Sequence, residues 1–116
     1  MQSEPLQSYL RMHRRRHAFS QEEVAFLIGA GSAATIARYE LGRREPSLDT
    51  ALALEALYGA PVAELFAGRF NTVEQSVVSR ASELIANVRA AGISPAATAK
   101  LQALGELSRR TNLFAS

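Results

Sequence analysis

Thirteen Lys and Arg side chains lie unevenly along this 116-residue chain, and their clustering is its first chemical signal. Arg11, Arg14, Arg15 and Arg16 fall within six positions, and Arg43 and Arg44 form a second pair. Acidic residues gather elsewhere, at Glu22, Glu23, Asp49, Glu55 and Glu64. Through Phe70 eight arginines balance eight acids, and the remainder supplies the formal net charge of +2. Segregation of this kind gives a nearly neutral protein a positive face suited to a polyanion. His13 and His17 have the i, i+4 spacing of two metal ligands on one helix. With no Cys, no third His and arginines alongside, no metal site is expected. No Gly-rich phosphate loop, Ser-His-Asp set or paired carboxylates stand in the sequence, so neither enzyme chemistry nor a cofactor is expected.

The elements that must position these residues read as helices. Pro5 suits the first turn of a helix running to about Arg16, on which Leu6, Leu10, His13 and His17 share a face. Ser20 with Glu23 is a capping box, and Phe19 before it is placed to staple onto Val24. Gly29 ends that second helix. A third starts at about Ser32 and runs to Leu41, where Gly42 can stop it. Pro46 and Ser47 close a loop at Arg43–Arg44–Glu45 and begin a fourth helix, from about Leu48 to Tyr58. A fifth spans about Pro61 to Phe66. The fold class expected is all-α.

Gly68 to Thr72 is the expected boundary between residues 1–70 and 71–116. Asn71 or Thr72 can cap a longer helix from about Val73 to Ala91, with Val77, Ala81, Leu84 and Val88 in one stripe and Val78 and Ile85 widening it. Gly92 ends it. Ser94 and Pro95 open a last helix to about Arg110, carrying Ala97, Leu101, Leu104 and Leu107. The short link makes the two antiparallel, and so small a hairpin must pack on something else to bury a stable core. No run approaches the roughly 20 apolar residues that cross a bilayer. The arginine-rich start is unlike a secretory signal, and a cysteine-free chain suits a cytoplasmic setting.

From Ser20 to Phe66 the sequence resembles the helix-turn-helix family of phage lambda repressor and Cro. The matching segments are Ser20–Gln21–Glu22–Glu23–Val24–Ala25, Gly29, and the run Thr35–Ile36–Ala37–Arg38–Tyr39–Glu40–Leu41–Gly42–Arg43–Arg44–Glu45–Pro46–Ser47. Ala60 to Phe66 fits the family's fifth helix. The resemblance implies a five-helix DNA-binding domain followed by a two-helix hairpin. Its third helix would enter the major groove of double-stranded DNA with Ser32, Ala33, Ala34, Thr35, Ala37 and Arg38 facing the bases. Gln21, Arg43 and Arg44 would hold phosphates, while Arg14 and Glu40 match an internal ion pair. Implied too are transcriptional regulation, by family habit as a repressor, and a homodimer served by the C-terminal hairpin.

Four departures from the family pattern are visible. One residue more than usual lies between Gly29 and Ile36, lengthening the turn. His13 replaces an aliphatic residue on the inner face of helix 1, and Glu55 stands where a small residue is common. Phe26 and Leu27 occupy positions where polar residues are usual, so the C-terminal helices or a partner should cover them. The competing reading is a protein-interaction module, an antitoxin-like adaptor that binds a protein partner through residues 72–110.

Overall fold

One backbone device ends each of the first three helices. In the computed structural model, which describes residues 8–115 and side chains through 111, α1 (Leu10–Arg16), α2 (Gln21–Ile28) and α3 (Ala33–Glu40) come first. Each is followed by a left-handed residue: Ala18 at φ 59°, Gly29 at 72° and Gly42 at 72°. The N–H groups of Phe19, Ala30 and Arg43 reach back five residues to the carbonyls of Arg14, Ala25 and Arg38, at 3.1, 2.8 and 2.9 Å. This is the Schellman closure, which satisfies carbonyls that a helix end leaves open. Ala18 adopts it without glycine's freedom.

The helix starts are capped as regularly. Ser20 Oγ accepts from the Glu23 N–H at 3.0 Å while Glu23 Oε1 accepts from the Ser20 N–H at 2.8 Å, completing a capping box. Ser32 and Ser47 accept from the N–H groups of Thr35 and Thr50. α4 (Leu48–Tyr58) and α5 (Val62–Leu65) complete the first compact unit, which ends at Asn71. Its core joins Leu10, Val24, Ala25, Ile36, Tyr39, Leu54, Tyr58, Ala60 and Leu65, with Phe19, Ile28 and Phe66 packed against it.

Two boundaries differ from the sequence reading. Helix 1 begins at Leu10, because the Tyr9 N–H donates to the Leu65 carbonyl at 2.8 Å and Ser8 Oγ accepts from the Leu10 N–H. Pro5 and Leu6 lie outside the described residues. α6 (Ala67–Ala90) starts directly after α5, so Gly68 to Thr72 is helical and neither Asn71 nor Thr72 caps it. The Phe70 N–H bonds to the Phe66 carbonyl at 2.8 Å, and Arg69 pairs with Glu45. A single Gly68 costs a helix only about 1 kcal/mol and does not break this one.

The second compact unit runs from Thr72 and holds the rest of α6 together with α7 (Pro95–Ala115). Gly92 turns the chain at φ 103°, and Ser94 Oγ caps α7 through the Ala97 N–H at 3.0 Å. Among the described residues there are seven helices and no strand, and no helix is long and apolar enough to cross a membrane. The protein is all-α.

Candidate nucleic-acid interface

The packing of α3 decides which of its residues face outward. Ile36 and Tyr39, at i, i+3, are 2% and 6% exposed and seat one face of the helix on the core. Ala34 and Arg38, one turn apart on the other side, are exposed, and Ala33, Thr35 and Ala37 are partly so. The Arg38 guanidinium makes no ion pair among the described residues. Ser32 sits before the helix as its N-cap, and its hydroxyl lies 3.3 Å from the Thr35 hydroxyl. These two polar groups therefore serve the helix end first. The extra residue before Ile36 is absorbed in the turn Gly29–Ala30–Gly31–Ser32, leaving α3 regular from Ala33.

The far end of α3 is fixed by a polar knot. Arg14 donates from Nε to Glu40 Oε2 at 2.5 Å and from its second terminal nitrogen to Oε1 at 3.2 Å, a two-pronged pair. A third donor reaches the Phe19 carbonyl at 3.1 Å. The hydrogen bond with Glu40 raises the Arg14 pKa above its ordinary value, against the opposing effect of burial. With side chains 12% and 3% exposed, this pair is out of reach of a ligand and holds α1 against α3. Such a pair fixes orientation more than it adds stability.

Gln21 joins the same knot. Its Nε2 donates to Glu40 Oε1 at 3.1 Å, so this amide is oriented by the same carboxylate that holds Arg14. Glu22 and Glu23 also occupy the first turn of α2, where a helix end would otherwise favour an anion. Exposed positive charge instead follows the C-terminal end of α3. Arg43 and Arg44 are both exposed, the Arg43 backbone is tied to Arg38 by the helix closure, and the Arg44 guanidinium lies 5.9 Å above the Tyr39 ring. That stacking orients Arg44 without neutralising it.

Other side chains explain themselves structurally. His13 is buried and its ring lies 5.6 Å from that of Tyr58, with Nε2 lacking a partner among the described residues. His17 donates from Nδ1 to the His13 carbonyl at 2.8 Å and stacks on Phe19. No three His, Cys, Asp or Glu residues come together as a metal-binding set among the described residues. Glu55 accepts from the Val62 N–H at 2.9 Å, capping α5 across the Gly59 turn. That cap accounts for an acid where a small residue is common. Phe26 is 85% exposed and Leu27 half exposed.

An outward α3, seated by Ile36 and pinned by Arg14–Glu40 behind a capped α2, is the arrangement of a helix-turn-helix. The helix-turn-helix family model matches residues 10–65. Residues 10–65 belong to the lambda repressor/Cro-like helix-turn-helix family. No curated protein and no solved structure matches the chain. The family is one of DNA-binding regulators, so this helix-turn-helix is a DNA-binding domain, and α3 is its second helix of the pair.

Proposed function

We propose that the protein is a sequence-specific transcriptional regulator, a repressor, that reads double-stranded DNA by laying α3 in the major groove. The observation that carries this is the face bearing Ala34 and Arg38, exposed one turn apart on the side of α3 opposite Ile36. Arg38 is the long donor of that face. A two-pronged contact from its guanidinium to guanine O6 and N7 discriminates by about 1–3 kcal/mol. Ala33 and Ala34 offer methyl contact to thymine, so much of the remaining preference comes from DNA shape and bridging water. Arg43 and Arg44 take phosphates, which set register without reading sequence.

The working form is a homodimer in the cytoplasm, reading two half-sites about 34 Å apart on one face of the duplex. Fluorescence anisotropy of the full chain with duplex DNA over a range of salt concentrations tests the reading. The logarithm of the binding constant should fall linearly with log salt, by about 0.9 per phosphate neutralised. Negligible, salt-independent binding to every duplex would overturn it in favour of an adaptor.

A further inference from the structure

The apolar stripe expected along α6 is divided in the folded chain. Ala81 and Val88 are buried, whereas Val73, Val77 and Leu84 stay 50%, 46% and 47% exposed. At 3.6 residues per turn those three side chains lie within about 40° of one another. Their spacings of four and seven are those of a helix–helix seam. Arg80 falls on the same strip, with Glu74 and Glu83 on its two flanks. None of these three charges forms an ion pair among the described residues.

We propose that this strip of α6 is the seat of a second copy of the chain, with the two α6 helices antiparallel. The proposal deepens the dimer reading above and rests on it. Two-fold pairing brings the same patch of both copies together, so the patch must complement itself. A parallel pairing fails that requirement, because it sets Arg80 against Arg80 inside an apolar seam. An antiparallel pairing about a point between Val77 and Arg80 meets it. Val73 of one copy then faces Leu84 of the other, twice. Arg80 lies over Val77 with its stem on the apolar surface, its guanidinium reaching Glu74 or Glu83 of the other copy at the rim. The result is an antiparallel four-helix bundle made of two hairpins.

The chain has no cysteine, which makes the test unambiguous. Full-length Val73→Cys and Leu84→Cys variants are oxidised separately and as a mixture, without DNA, while sedimentation reports the size of the unsubstituted protein. The expected result is a dimer whose mixture gives a Val73→Cys to Leu84→Cys disulfide, with little homodisulfide from either variant alone. Val77→Asp should raise the dimer dissociation constant by about tenfold or more while far-UV circular dichroism stays helical. A monomer throughout the micromolar range, or homodisulfides formed by each variant alone, would overturn the seam. Salt-dependent DNA binding by such a monomer would overturn the seam and leave the groove reading standing.

Discussion

Up to Asn71 the chain holds Leu10, Val24, Ile36, Leu54 and Leu65 at 2% exposure or less, whereas from Thr72 onward only Ala81 and Val88 among the described residues fall below a tenth exposed. The first unit closes its helices with hydrogen-bonded caps and pins α1 to α3 with a buried ion pair. The second relies on two long helices whose apolar side chains are mostly half covered. At roughly 0.8 kcal/mol per buried methylene, an alanine and a valine contribute little core. The difference teaches that the first unit seals a core of its own, while the second leaves much of its apolar surface open.

The largest expected effect that tests this contrast is at the polar knot. Glu40→Ala leaves Arg14 partly buried without its carboxylate and should cost about 3–5 kcal/mol in urea unfolding. Replacing both partners by apolar residues of similar size should recover most of that loss. Next, Leu54→Ala should cost about 2–5 kcal/mol, against about 1 kcal/mol for Val88→Ala in the second unit. Equal losses would erase the distinction between the units.

A pH dependence sharpens it. Burial pushes the Tyr58 phenol from 10.0 up to about 12, with the Glu40 charge adding to the rise. The folded chain therefore favours the protonated phenol, and this contribution is intact below pH 10 and lost as pH rises toward 12. Tyr58→Phe should flatten the fall in the urea midpoint over that window, a change on the order of 1–2 kcal/mol. The smallest effect is at Ala18, held at φ 59°. Ala18→Gly removes the steric cost of the left-handed region but loosens the unfolded chain, for a net gain of about 0.5 kcal/mol seen as a higher Tm.

How much of this could be read from sequence depended on whether the signal was local. Ser20 with Glu23, Gly29, Gly42 and Ser47 are local rules, and the helices they bound stand where those rules put them. The start of α1 was not local, because Leu65, far along the chain, takes the Tyr9 N–H. The start of α6 was missed because Gly68 and Asn71 resemble punctuation, yet the helix continues through both. At the candidate site, the spacing of Ile36 and Tyr39 already separates inner from outer residues of α3. That Gln21 turns to Glu40 depends on Arg14 having brought the carboxylate there, a three-body arrangement with no sequence signature. The cap from Glu55 to Val62 was missed for the same reason, although an acid seven residues before a short helix is a pattern worth testing elsewhere.

The decisive measurement is the base-preference matrix of the full chain, obtained by selection from a duplex library, for the unsubstituted protein and for Arg38→Ala and Arg43→Ala. Arg38→Ala should flatten preference at one G·C pair in each half-site. Arg43→Ala should leave the matrix unchanged while weakening every duplex and lowering the salt slope by about 1. Identical matrices for all three proteins, or the same flattening from both substitutions, would contradict a groove-reading α3.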